Sequence, residues 1–177
     1  KEYTIGRGAM PSRYMTFDAN MRDAVSRYCK AGGNLFVSGA FVASDIWDTP
    51  NQDKSRMNFA ENVLGYKWLS GQAAVEGNVY SVPSSFESLD FDYGELSFSN
   101  NLNKNMYCVE SPDALVPAND NGATILRYKE NNLPAGAAAK MGKYNTCVLG
   151  FPFETITDSD SRAKLMKGIL NFLNTGK

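Results

Sequence analysis

Apolar residues recur every three or four positions in three stretches of the chain, which is typical of amphipathic helices. The first stretch ends at Gly32 and the second at Gly65, and glycine is the residue that most often ends a helix in the left-handed conformation. In the first helix the predicted inward face holds Phe17, Met21, Ala24, Val25 and Tyr28. The three predicted helices, with their candidate N-caps, are 17–31 (Thr16 or Asp18), 53–64, and 159–173 (Asp158 or Ser159).

Two further stretches are apolar on both faces. They are 35–37 and 146–151, and each indicates an inner strand of a sheet that is covered on both sides. Strands at 124–128, 135–141 and 144–151 are joined by short turns and predict an antiparallel meander. Shorter strand-like runs lie within an irregular β-rich insertion of about 66–121.

The order helix, Gly32-Gly33, strand, turn in residues 29–40 is typical of an α/β unit. We therefore predict one α/β domain over 1–177, a three-layer sandwich with a mixed, mainly parallel central sheet. Such a sheet needs a neighbour on each side of its first inner strand, and nothing before Thr16 supplies one. One or two βα units are expected upstream of Lys1, in a larger protein.

The absence of histidine excludes several chemistries. Ser-His-Asp and Cys-His catalysis need an imidazole base, and histidine-ligated zinc needs an imidazole ligand. Cys29, Cys108 and Cys147 fit no zinc or redox spacing, so we expect buried thiols, with one disulfide as the alternative. We predict no cofactor and no metal. With a net charge of -1 and scattered basic residues, no nucleic-acid partner is expected, and no apolar run is long enough for a membrane span.

Polar residues follow both apolar strands, and they are the candidate site. Ser38, Gly39 and Ala40 follow the first strand with Asp45 close behind, and Glu154 follows the second. If the strands are parallel neighbours, both turns open into one crevice, where the Gly39 and Ala40 N–H groups would bind a ligand oxyanion. We predict a ligand site formed by these five residues, with Ser38, Asp45 and Glu154 as catalytic candidates. The alternative is that they serve only as turn and cap residues.

Two other arrangements remain open on sequence alone. A carboxylate pair such as Asp45 and Glu154 suits glycoside hydrolysis or calcium binding, and Asp113 and the run 90–93 are further calcium candidates. The tyrosines and tryptophan of the middle region would form either a sugar-stacking platform or part of the core. These aromatic residues are Tyr66, Trp68, Tyr80, Tyr107 and Tyr128.

Residues 21–40 and 148–154 together resemble the class I glutamine amidotransferase-like fold, which is flavodoxin-like and includes non-catalytic ThuA-like relatives. The resemblance places the cysteine of the amidotransferase triad at Ser38 or Gly39, and its histidine at Pro152 or Phe153. Only Glu154 of the triad is retained. The resemblance therefore implies the fold without amidotransferase activity.

Nearly the whole chain resembles a group of exported Bacteroidetes proteins labelled xanthan lyase, through segments 32–39, 45–47, 110–115 and 150–156. This resemblance implies a location in the periplasm or at the cell surface, other domains of the same polypeptide as partners, and glycan as a further partner. We expect a non-catalytic or unassigned module that binds or supports glycan or cell-wall material. The alternatives are a polysaccharide lyase or hydrolase that uses carboxylates and a tyrosine, and a purely structural domain.

Overall fold

The computed structural model describes residues 15–50, 52–83, 86, 89, 94–101, 106 and 108–175. The helices are α1 (Ala19–Lys30), α2 (Ser44–Trp47), α3 (Lys54–Phe59) and α4 (Ser159–Leu173), with a π-helical turn at Ala60–Leu64 and a 3-10 turn at Phe153–Thr155. The strands are β1 (Leu35–Ser38), β2 (Tyr66–Ser70), β3 (Asn78–Ser81), β4 (Glu95–Ser97), β5 (Ala114–Pro117), β6 (Gly122–Tyr128), β7 (Pro134–Lys140) and β8 (Asn145–Leu149).

The main sheet has six strands in the order β1-β8-β7-β6-β3-β4, and β2 and β5 form a separate two-stranded sheet. Within the main sheet β1 and β8 are parallel, and each of the other neighbouring pairs is antiparallel. The predicted three-layer sandwich with a mainly parallel sheet is therefore wrong. The protein has a mixed, mostly antiparallel, curled sheet with few helices.

The error has a physical cause. A strand becomes apolar on both faces when both faces are covered, whatever its direction relative to its neighbours. All five β8 residues are buried, and so are six of the seven β7 residues, although these strands run antiparallel. Apolarity reports on the covering layers, whereas strand direction is set by the connections, and the short turns of the meander make it antiparallel.

Two hydrophobic cores lie on the two faces of β7 and β8. We call the first the α4 core; among its buried residues are Ala138, Cys147, Leu149, Leu165, Ile169 and Phe172. We call the second the α1 core, to which α1 to α3 and the small sheet contribute; it includes Phe17, Ile46, Phe59, Tyr66, Leu115, Ala137 and Val148. Successive residues of one strand point to opposite faces, so β7 and β8 contribute to both cores.

Helix α1 ends as its sequence predicts. Asp18 accepts a hydrogen bond from the Met21 N–H at 2.9 Å and caps the N-terminus. Gly32 has a φ of +90°, and the N–H groups of Gly32 and Gly33 donate to Cys29 and Tyr28 carbonyls at 2.8 and 3.0 Å. This pattern is a Schellman motif, which requires the left-handed conformation that glycine adopts without strain.

The inward face of α1 differs in part from the prediction. Tyr28 is 53% exposed, whereas Cys29, which was left out of the predicted face, is fully buried. The Tyr28 ring lies over Gly33, since a Cβ on that glycine would come within 2.3 Å of the ring. The Tyr28 ring therefore packs on the main chain of Gly33 at the end of α1. A helical repeat of apolar residues does not predict this contact.

The three cysteines form no disulfide, and Cys29 and Cys147 are buried as predicted, whereas Cys108 is only partly buried. Burial raises the pKa of the Cys29 and Cys147 thiols, so both are kept protonated. Among the described residues, no helix has both the length and the apolarity that a membrane crossing requires.

Candidate functional site

The two strand ends that carry the candidate residues lie side by side. β1 and β8 are parallel neighbours, with Ser38 opposite Leu149, and the Gly39 N–H donates to the Leu149 carbonyl at 3.3 Å. The condition set for a shared crevice, that these two strands are parallel neighbours, is therefore met. Both turns leave the sheet at the same edge, as a shared crevice requires.

Ser38 contacts the second turn directly. Its hydroxyl oxygen accepts a hydrogen bond from the Phe153 N–H at 3.2 Å, and the Phe36 and Phe153 rings meet edge to face at 5.7 Å between centroids. The Gly39 N–H is used in the bond to Leu149. Ala40, the third residue of this turn, is half-buried against the α4 core. These contacts fasten the two turns to each other.

Asp45 lies in α2 and is 5% exposed. Its carboxylate pairs with the guanidinium of Arg56, which also donates to the Asp45 main-chain carbonyl at 2.9 Å, and it accepts the Thr16 N–H at 2.8 Å. Arg56 is also 5% exposed. The pair joins α2, α3 and the start of α1 within the protein, an arrangement that holds elements together.

Glu154 lies in the 3-10 turn and is exposed, unlike Asp45. Its neighbour Phe153 packs against the α4 core, whereas Ile46, next to Asp45, belongs to the α1 core. The structure brings Ser38 and the turn of Glu154 together. Asp45 is held instead among the helices of the opposite face.

The space above the ends of β1 and β8 contains Asp113, which directly precedes β5. Its main-chain N–H donates to the Gly150 carbonyl at 2.7 Å. Its own carbonyl lies so close that a Cβ on Gly150 would be 1.9 Å from that oxygen. Asp113 is completely buried, and its Oδ2 accepts the Ala43 and Ser44 N–H groups at the start of α2, at 2.8 and 2.9 Å.

Two buried tyrosines complete this polar region. The Tyr128 hydroxyl donates to the Asp113 carbonyl at 2.7 Å, and the Tyr66 hydroxyl donates to the Val42 carbonyl at 2.5 Å. Burial and, second, the negative charge of Asp113 raise the pKa of both phenols well above 10. Both are neutral donors to main-chain oxygens at physiological pH. Because they are fully buried, neither can stack on a sugar.

The other aromatic and acidic candidates lie elsewhere. Tyr80 donates its hydroxyl to Asn132 Oδ1 at 2.9 Å on the outer side of the main sheet, and Trp68 is half-buried at the α1 core. Tyr107 and the run 90–93 lie outside the described residues. Within the described ranges, no three acidic or cysteine side chains are grouped closely enough to bind a metal ion.

Comparison with known proteins supports the fold. A beta-galactosidase from Rahnella sp. R3 matches 85% of this chain with a TM-score of 0.55 and 14% identity, over 20% of its own length. A protein described as cytoplasmic protein STM1381 from Salmonella typhimurium LT2 matches 86% of this chain with a TM-score of 0.52 and 13% identity, over 58% of its length. No family model and no curated protein sequence matches the chain. The chain thus spans less than two thirds of either solved chain, and the low identities support a shared fold alone.

Sequence reasoning missed the importance of Arg56 and misjudged Asp113. Arg56 was one of several basic residues on a predicted helix, and nothing in the spacing distinguishes a buried guanidinium from an exposed one. Asp113 was considered only as a calcium candidate, whereas it is completely buried and accepts hydrogen bonds from the start of α2. A usable signal was its position directly before the apolar run 114–116, since a carboxylate drawn into the interior next to a buried strand needs hydrogen-bond donors there.

Proposed function

We propose that this chain is a non-catalytic module of a larger exported protein, which supports or binds glycan or cell-wall material together with other domains of the same polypeptide. The observation that carries the proposal is that Asp113, beside the predicted crevice, uses its polar groups in contacts inside the protein. Asp113 lies against Gly150 at the end of β8, and its carboxylate accepts hydrogen bonds from the Ala43 and Ser44 N–H groups at the start of α2.

The hydrogen bonds of the candidate polar residues support a structural role. Ser38, Asp45 and Asp113 each accept a hydrogen bond from main-chain N–H groups of another segment. A nucleophile or general base needs its lone pairs directed at a substrate, in reach of the proton that it removes. Here these oxygens join segments of the protein, and the chain has no histidine to activate Ser38.

The matched solved structures agree with a role as part of something larger. In the beta-galactosidase the matched region is a fifth of the chain, and in the second protein it is somewhat more than half. A fold that forms one portion of longer chains is compatible with a module that works together with other domains of the same polypeptide.

The test is incubation of the protein with xanthan and with peptidoglycan fragments, followed by chromatography for shortened products. We expect no turnover, together with retention of the protein on the immobilised polysaccharide. Glu154→Gln is the matched variant, because Glu154 is the exposed carboxylate of the candidate set. Turnover by the native protein that is lost in Glu154→Gln would replace this proposal with the enzyme alternative.

A further inference from the structure

Tyr28, near the end of α1, presents one face of its ring to solvent. A Cβ on Gly33 would lie 2.3, 2.4 and 2.5 Å from the ring atoms Cζ, Cε1 and Cε2. Nearly equal distances to these three atoms mean that the ring lies flat over the glycine. Tyr28 is nevertheless 53% exposed. One face of the ring is therefore fixed against the main chain, and the other face is open.

The helix around Tyr28 leaves room for a ligand on the open face. Residues three or four positions apart are neighbours on a helix surface, and those of Tyr28 include Ala24 and Ala31. Both alanines are small and exposed, so neither covers the ring. Because packing on Gly33 already holds the ring, a ligand that stacks on it restricts little further side-chain motion.

Three cations surround this end of α1. Arg27 and Lys30 are exposed neighbours in its last turn. Lys143 is exposed in the turn between β7 and β8, and its main-chain oxygen is 3.7 Å from the position of a Cβ on Gly32. Within the described ranges none of the three forms an ion pair, and the acidic residue of α1, Asp23, lies one turn earlier. The end of α1 is therefore locally positive, although the net charge of the chain is -1.

A fixed aromatic ring beside cations matches the chemistry of an anionic sugar. The C–H groups of a pyranose ring pack on an aromatic face, and a uronic acid carboxylate pairs with a guanidinium or an ammonium group. We define the Tyr28 surface as Tyr28 with Arg27, Lys30 and Lys143. We infer that the Tyr28 surface binds polysaccharides that contain uronic acids.

This inference rests on the proposed function, since it names the class of glycan and the surface that binds it. The Tyr28 surface lies at the amino ends of β1 and β8, whereas Ser38 and Glu154 lie at or beyond their carboxyl ends. Binding here therefore needs none of the polar groups that are used inside the protein. Nucleic acid is also anionic, but its phosphate backbone is bound by a longer basic stripe than these three cations form.

Calorimetric titration of the protein with oligogalacturonate tests the inference. Dextran, polyglutamate and duplex DNA are the comparison ligands, because dextran lacks the charge, polyglutamate lacks the pyranose ring, and DNA offers phosphates. We expect oligogalacturonate to bind most tightly, and its affinity to fall as salt is added, since salt screens exposed charges. Absence of binding, or equal or tighter binding of any comparison ligand, would overturn the inference.

Substitutions then locate the binding surface. Arg27→Gln combined with Lys30→Gln is expected to raise the Kd for oligogalacturonate about fivefold, and so is Tyr28→Ala. Gly33→Ala keeps the tyrosine and all the cations. It is also expected to weaken binding, because the added methyl group displaces the ring. An unchanged Kd in all three variants would overturn the inference.

Two controls separate the surface from general effects. Lys164→Gln combined with Lys167→Gln removes the same charge from α4, which covers the other face of β7 and β8, and is expected to bind like the native protein. A loss equal to that of the α1 pair would show that only net charge matters and would overturn the inference. Tyr28→Phe keeps the ring and is expected to bind nearly as well as the native protein. Circular dichroism identifies variants that are folded, and only these are compared.

The inference and the proposed function fail on different results. Retention of the native protein and all the Tyr28-surface variants alike on polysaccharide would overturn the inference and agree with the proposed function. Cleavage of the polysaccharide by a protein whose binding depends on Tyr28 would support the inference and replace the proposed function.

Discussion

At the scale of single residues, the strand ends depend on a close approach between two main chains. Gly150 is the residue at which β8 leaves the sheet, and the Asp113 carbonyl occupies the position that a side chain would need. Both partners at this contact are backbone, so neither can move as the tip of a flexible side chain does. Glycine is therefore required here by packing, whereas at Gly32 it is required by its backbone angle.

Gly150→Ala is expected to destabilise the protein by about 3 kcal/mol, since a methyl group forced into a packed site costs roughly 1–3 kcal/mol or more. Urea unfolding measures the change. Gly71→Ala is the control, because a Cβ there would meet its nearest neighbour at an ordinary 3.7 Å. Equal effects of the two substitutions would contradict the close approach.

The buried ion pair of Asp45 and Arg56 supports a second prediction. Asp45→Asn or Arg56→Met leaves the partner charge buried and unpaired, so each is expected to lower the free energy of unfolding by about 3–5 kcal/mol. Replacing both residues together by Leu and Met is expected to cost less than either single change. Thermal and urea unfolding of the four proteins give the comparison.

The control for this pair is the exposed ion pair of Lys129 and Glu95. Glu95→Gln is expected to change stability by less than about 1 kcal/mol, because exposed pairs are screened by water and salt. A loss at Glu95 as large as that at Asp45 would mean that burial does not determine the strength of these pairs.

At the scale of elements, the helix ends explain part of the expected response to acid. Asp158 caps α4 and accepts hydrogen bonds from Ser161, which lower the pKa of its carboxyl below 3.8. Asp53 caps α3, and hydrogen bonds from Ser55 lower the pKa of its carboxyl in the same way. A carboxyl whose pKa is lower in the folded state binds protons more readily in the unfolded chain. Its contribution to stability is complete above the pKa that the carboxyl has in the unfolded chain. That contribution is lost as the pH falls through the lower pKa of the folded state.

Asp158→Asn is therefore expected to make unfolding less dependent on pH on the acid side. Asparagine can still accept the Ser161 N–H as a cap, but it does not titrate. Urea midpoints of the two proteins at neutral pH and at about pH 3 measure the effect, and the difference between the proteins should shrink as the pH falls. An unchanged pH dependence would mean that this carboxyl does not contribute.

The elements also show how far local patterns determine the structure. The caps of α1 and α4 and the glycines that end α1 and the 53–64 helix lie where the sequence predicts them, whereas Asp53, predicted as the first residue of the second helix, is its N-cap. These signals involve residues within about four positions of each other. The predicted second helix differs in one respect, since it continues from α3 into a π-helical turn at Ala60–Leu64. The middle region was predicted as a β-rich insertion. Part of it belongs to the main sheet, because β3 pairs with β6 and β4 pairs with β3.

At the scale of the whole molecule, the two cores are joined through shared strands. Ala137 and Val148 face the α1 core, and Ala138 and Cys147 face the α4 core. A disturbance of one core therefore displaces strands on which the other core is built. We expect the described domain to unfold as one cooperative unit.

Phe172→Ala tests this coupling, because Phe172 is fully buried in the α4 core. The substitution is expected to cost about 3–5 kcal/mol. Trp47 and Trp68 both pack against the α1 core, so their fluorescence reports on the other face. The tryptophan midpoint in urea should shift as far as the circular dichroism midpoint. A shift in circular dichroism alone would mean that the two cores unfold separately.

The sequence alone was enough to predict the local elements, which are the helices with their caps and stops, the strands and the antiparallel meander. It also excluded imidazole chemistry, because the chain has no histidine. These properties depend on residue type and on short spacings.

The pairing of β1 with β8, the direction of most strands and the contents of the crevice became known from the folded structure. Apolarity records that a strand is covered, without recording which way its neighbours run. Asp113 contacts Gly150 and α2, and Asp45 pairs with Arg56. These contacts join segments that are distant in the chain or were predicted as separate elements. The sequence does not show which carboxylates are buried, because burial depends on such contacts. Burial distinguished the carboxylates that hold the protein together from Glu154, which faces solvent.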